Sequence, residues 1–163
     1  MTTRFISAAT LSGSGSDQSV RVTHSVAISI ANDTQTIVAY DTEDYDSNGF
    51  HQTAATPDPP GNTRLTVPAG QSGKYLVFAT RHWAANATGT RMVRIRLNGV
   101  TIVGRTIVTA SNEGPAVIVV TVLNLAAADY LETMVYQNSC GALNVDGDGT
   151  VGIGHFGMVK ILG

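Results

Sequence analysis

The chain has 163 residues, 43% of them hydrophobic and 13% charged, with a formal net charge of −2, which fits one ordinary domain with a sizeable core. That charge supplies no basic field for nucleic acid or anionic lipid, and no run approaches the roughly 20 consecutive apolar residues of a membrane-spanning helix. Nucleic acid and membrane are therefore not expected partners, and the one cysteine, Cys140, is expected as a small buried hydrophobe without a disulfide mate.

The opening segment, from Met1 to Leu11, is polar and broken, without the basic head and apolar core of a secretory signal. Ser12-Gly-Ser-Gly-Ser16 reads as a flexible link. Residues 1–19 are thus expected to form an arm held by a neighbouring molecule, with Phe5 and Ile6 as its apolar contact residues. Residues 20–163 are expected to form the domain.

From Val20 the pattern Val20-x-Val22-x-His24-x-Val26-x-Ile28-x-Ile30 alternates strictly, the period of a pleated strand. Residues 36–40 are β-branched and aromatic and precede a long polar loop over residues 41–61, expected at the surface. Residues 63–67 and 74–79 read as two strands joined by the turn Pro68-Ala-Gly-Gln-Ser-Gly73. Further strands are expected at 91–97 and 101–109, joined by Asn98-Gly99, whose residues tolerate the positive φ of a tight hairpin. The run 116–123 is apolar at nearly every position, so a fully buried strand is expected there, followed by a corner at Ala126-Ala-Ala128. Strands over 129–137 and 155–162 complete an antiparallel sandwich or barrel without a convincing amphipathic helix.

Asp44-x-Asp46-x-Asn48-Gly49 has the opening of a calcium loop, where alternate oxygens wrap a cation. The template's closing Glu is replaced by Ala55, so the expectation is no cofactor, with an oxygen site for calcium at Asp44, Asp46 and Asn48 as the other reading. Gly147-x-Gly149-x-x-Gly152 has the letters of a dinucleotide fingerprint but precedes a strand, where no helix N-terminus meets a phosphate, and Asp146-Gly-Asp-Gly149 is read as a hairpin or corner loop. His24, His51, His82 and His155 show no paired metal spacing. No activated-nucleophile motif is present, and the chain is not expected to be an enzyme. Tyr45, Phe50, Trp83 and Tyr136 divide between core packing and partner contact, and Tyr45, Phe50 and Trp83 are the partner-binding candidates.

Gly73-Lys-Tyr75-Leu-Val-Phe78 resembles the Gly-x-Tyr-x-Phe signature of the complement subcomponent q family, whose jelly roll is shared with tumour necrosis factor. Arg96-Leu-Asn98-Gly99, Ala128-Asp129-Tyr-Leu-Glu132 and the closing Phe156-Gly-Met-Val-Lys-Ile-Leu162 are similar to that family's later motifs in order and spacing, with Ala128 in place of its usual glycine and no collagen-like stem. The resemblance implies a jelly-roll β-sandwich of about ten strands that forms a homotrimer through its apolar side. Tyr45-Asp46, Tyr136-Gln-Asn-Ser139 and Ala142-Leu-Asn-Val145 look like the stemless domains of tailed-bacteriophage virion proteins. The expected role is a capsid-decoration or fibre/tail component assembled in the host cytoplasm, partnered by itself and by capsid or tail proteins. A module binding a host surface glycan or receptor is the alternative.

Overall fold

The structure is a computed structural model that describes residues 17–53, 61–146 and 154–162. Among the described residues the regular elements are twelve strands, β1 (Ser19–Thr23), β2 (Ile28–Ile30), β3 (Thr36–Ile37), β4 (Thr42–Asp46), β5 (Arg64–Thr66), β6 (Gly73–His82), β7 (Asn86–Leu97), β8 (Thr101–Ser111), β9 (Ala116–Leu125), β10 (Tyr130–Gln137), β11 (Leu143–Val145) and β12 (His155–Leu162), with a 3-10 turn at Gly61–Thr63. A five-stranded sheet runs β4, β1, β12, β6, β9, and a second runs β3, β10, β7, β8 with β5 also on β10, while β11 and β2 form a small third sheet. Every pairing is antiparallel. The inward residues of the two large sheets, among them Val20, Val22, Tyr75, Val77, Val93, Ile95, Leu131, Val135, Phe156 and Met158, form one core. The architecture is the expected all-β jelly-roll sandwich, two sheets whose inner faces interdigitate.

The two edge strands β8 and β9 meet along one side of the sandwich. The Thr106 hydroxyl donates to the Ile118 carbonyl at 2.8 Å, and Gly104 leaves room for Val119, whose Cγ1 would lie 2.7 Å from an added Cβ.

Three expectations meet a different geometry. The alternating run from Val20 to Ile30 is broken after Thr23, because the Asp41 carboxylate accepts the Ser25 N–H at 2.8 Å and the Ser25 hydroxyl at 2.6 Å. Such local side-chain bonds compete with the ladder, and the second half of the run joins β11 instead. The expected surface loop contains β4, which pairs with β1. Cys140 is exposed: it stands in a turn at φ 69, its N–H donating to Asn32 Oδ1 at 2.8 Å, and the side chain faces outward.

Turn chemistry matches the sequence. Asn98 and Gly99 have φ 51 and 72, the left-handed pair at the centre of a tight turn that the Val100 N–H closes on the Leu97 carbonyl at 3.1 Å. Ala128 has φ 70 at the corner between β9 and β10, where a Cβ is a steric burden that glycine lacks.

Charged groups are also buried. Asp146 receives the Arg81 guanidinium at 3.3 Å and His24 Nε2 at 3.0 Å, all with side chains at most 4% exposed. It also accepts the His82 N–H at 2.6 Å. Arg81 donates to the Tyr40 hydroxyl and to Thr133 Oγ1. Burial pushes the Tyr40 hydroxyl up to about 12, with the nearby Arg81 charge opposing the rise.

Candidate self-association face and loop sites

An antiparallel sheet with one wet face alternates apolar and polar side chains. The five-stranded sheet does not. Its register aligns Arg21, Gly157, Phe78 and Val120 in one outward row, and Ser19, Val159, Leu76 and Val122 in the next. His155, Thr80 and Ile118 form a third row. Ile118, Val120 and Val122 are 55%, 59% and 53% exposed, and Leu162 at the end of β12 is 63% exposed. Leu76, Phe78 and Val159 beside them are half-buried.

Gly157 shapes the middle of this face. An added Cβ would stand 2.5 Å from Phe78 Cζ and 2.6 Å from the Val20 carbonyl oxygen, so only glycine lets the Phe78 ring lie across β12. Tyr75, three residues earlier, points the other way into the core, and its hydroxyl donates to the Gln71 carbonyl at 2.5 Å. The Gly73, Tyr75 and Phe78 motif therefore supports both faces of one strand.

The β1/β4 margin of the face is polar. Arg21 Nε donates to Asp44 Oδ2 at 2.6 Å, and its guanidinium stands 5.5 Å from the centre of the Tyr45 ring. His155 Nδ1 lies 3.5 Å from the same Asp44 oxygen. Burial holds the His155 imidazole below its ordinary value, reinforced by Arg21 and opposed by Asp44.

The sequence-derived site residues scatter. Tyr45 is exposed at 44% on this margin. Phe50 and Trp83, expected at a contact surface, are instead core residues. Phe50 meets Tyr75 edge-on at 6.1 Å between centroids, because the loop folds back to plug an end of the sandwich. Trp83 continues β6 to bridge Val145, and the Arg91 guanidinium sits 5.8 Å from its ring centre. Phe5, Ile6 and the glycines at 147, 149 and 152 lie outside the described residues.

Asp44, Asp46 and Asn48 each have hydrogen-bond partners within the chain. Asp46 Oδ1 accepts the backbone N–H groups of Asn48, Gly49 and Phe50 at 3.2, 2.9 and 3.0 Å, and Oδ2 accepts that of His51 at 2.8 Å. Asp44 is paired with Arg21, and the Asn48 amide donates to Gln18. The carboxylate of Asp46 thus closes the turn in which glycine at φ 74 was read as part of a calcium loop.

A cavity of ≈ 290 Å³ opens between β2 and β3, with Val26, Ile28, Ile37 and Ala39 as apolar wall and His24, Tyr40, Asp41 and Asn62 as polar end. Asp41 is held below the usual carboxylate range by the Ser25 hydroxyl. Both the cavity and the outward face of β9 were missed by motif reasoning. The signal for the face was the run of apolar residues in β9, on both parities of the strand.

No protein-family model and no curated protein matches the sequence. Solved structures do. The crystal structure of murine APRIL at pH 8.0 superposes with a TM-score of 0.63 at 14% identity, covering 89% of this chain and 99% of that one. The globular domain of zebrafish complement 1qA gives 0.53 at 12% identity over 85% and 95% of the two chains. PRD1 vertex protein P5 gives 0.62 at 18% identity over 90% and 97%. The fold of this chain is the jelly roll of the tumour necrosis factor and complement C1q type.

Proposed function

We propose that the chain is a structural virion protein of a tailed bacteriophage, a homotrimer that decorates the capsid or forms part of a fibre or tail and docks through residues 1–19. The observation that carries the proposal is the outward apolar face of the five-stranded sheet, where Ile118, Val120 and Val122 are each more than half exposed in the isolated chain. Contiguous apolar surface of this kind marks an interaction site, and repeated copies of one chain close most simply into a cyclic assembly. The likeness to a protein called a vertex protein supports placing that assembly on a particle, assembled in the host cytoplasm. In this role the chain binds and builds without catalysing a reaction, and no cofactor enters.

The test is the solution mass of the purified chain combined with particle incorporation. The full chain is expected at three times its 17.0 kDa at micromolar concentration, and a chain lacking residues 1–16, which leaves β1 whole, is expected to keep that mass but fail to join particles. A monomeric full chain, or normal incorporation without the arm, refutes the corresponding half.

The cavity beside Asn62 favours a second reading, a glycan- or receptor-binding module. Concave sites with apolar walls and a few polar groups orient small ligands. Glycan-array binding abolished by a bulky substitution at Ala39 supports that reading over a purely structural role.

A further inference from the structure

The outward face of the second large sheet has a composition unlike that of the first. Register places Glu132 opposite Arg96, Met134 opposite Arg94, and Tyr136 opposite Met92. On the other side of β7, Arg94 stands directly opposite Arg105, and Met92 opposite Ile107. Arg64 joins them from β5, opposite Glu132. The face carries arginine, methionine and tyrosine, types enriched at protein interfaces, and no lysine among the described residues, a type depleted there.

Its charges do not balance internally. Glu132 is only 2% exposed and is shared by two cations: Arg96 Nε donates to it at 2.6 Å, and Arg64 Nε stands 3.9 Å away. Arg64 also lies over the Tyr130 ring at 3.9 Å. The one carboxylate in the middle of the face is thus already compensated twice. Asp33, at the far end, accepts the Tyr136 hydroxyl at 2.5 Å. Arg94 and Arg105 are left over. Arg94 donates to a neutral group, Gln35 Oε1, at 2.9 Å, its Nε has no partner, and Arg105 is exposed with no hydrogen bond or ion pair among the described residues.

Like charges directly across a strand pair repel. Register puts both arginines on the same outward face, where a segment carrying carboxylates can meet each guanidinium with charge-assisted, bidentate hydrogen bonds. We propose that this face, centred on Arg94 and Arg105 and flanked by Met134 and Ile107, docks an acidic segment of a partner protein. Charge complementarity selects the occupant, and the apolar flanks suit a polypeptide better than a bare polyanion. The proposal concerns the sheet opposite the self-association face and holds whatever the oligomeric state of the chain.

The test uses the full-length chain and fluorescently labelled poly-L-glutamate as the probe, with heparin and duplex DNA of matched charge as comparators, read by anisotropy over a salt series. Poly-L-glutamate is expected to bind most tightly. The Arg94→Gln/Arg105→Gln variant should lose about tenfold in affinity or more, while Lys74→Gln/Lys160→Gln, the same change in net charge on the other sheet, should lose less than about twofold. Arg94→Lys/Arg105→Lys keeps the charge and removes the bidentate guanidinium geometry, and an intermediate loss is expected from it. Absence of poly-L-glutamate binding, equal losses in the arginine and lysine variants, or tighter binding of heparin or DNA would each overturn the assignment.

Discussion

Val120→Asp is the sharpest probe of the proposed self-association face. Val120 lies opposite Phe78 on the outward side of β6 and β9, so a polar residue there costs the isolated protomer at most about 1 kcal/mol of strand preference and cross-strand packing. In an assembly the balance differs. Complete burial of a valine-sized side chain is worth about 1.5 to 3 kcal/mol, and Val120 retains 59% exposure, so a covering neighbour gains roughly 1 to 2 kcal/mol from it per copy. Aspartate forfeits that gain and adds the cost of desolvating a carboxylate, which brings the loss to at least about 2 kcal/mol per copy. A closed ring of three copies suffers it at every interface, about 6 kcal/mol or four decades in the association constant. Because that constant scales as the square of concentration, the midpoint of assembly should rise about a hundredfold. Light scattering after size exclusion across a dilution series, with circular dichroism to confirm folding, measures it. Val100→Asp at the β7–β8 turn, where Val100 is 82% exposed, should leave the mass unchanged. A Val120→Asp chain that keeps the wild-type mass at every concentration refutes the reasoning.

Two further outcomes follow from buried or strained groups. Ala128→Gly removes a Cβ from a residue at φ 70 and should raise stability by a few tenths to about 1 kcal/mol in urea unfolding; a loss of that size would show that the corner carries no strain. Tyr40 ionises near 10 in the unfolded chain and at about 12 when folded, so its contribution is complete below pH 10 and is lost as pH rises through 12, about 3 kcal/mol in all. The urea midpoint should fall over that range more steeply in the wild type than in Tyr40→Phe, with Tyr75 and Tyr136, also raised, leaving a residual slope; equal slopes refute the assignment.

What was legible in the sequence was what neighbours in sequence decide. The last strand, β12, has the bounds expected for it, and Asn98-Gly99 makes the tight turn that two left-handed residues allow. The break in the first run was not legible, because Asp41 captures Ser25 from 16 residues away. Nor was the network in which His24 meets Asp146 across 122 residues, since no local spacing announces a contact created by the closing of two sheets. Phe50 and Trp83 look like contact residues because loops surround them; the ends of a sandwich need apolar plugs, and these side chains supply them.

The error over β9 is more instructive than the successes. An apolar run on both parities reads as a strand covered on both sides, yet the folded chain covers only one: Val117, Val119 and Leu125 enter the core while Ile118, Val120 and Val122 face out. The chemistry of the strand matches the expectation, and the missing layer is what differs. Nothing in the stability of the protomer calls for three β-branched aliphatics on an outer face, because threonine would serve the same pleat and hydrate better. Those side chains gain free energy only when something apolar covers them, and in the proposed role that cover is a neighbouring molecule.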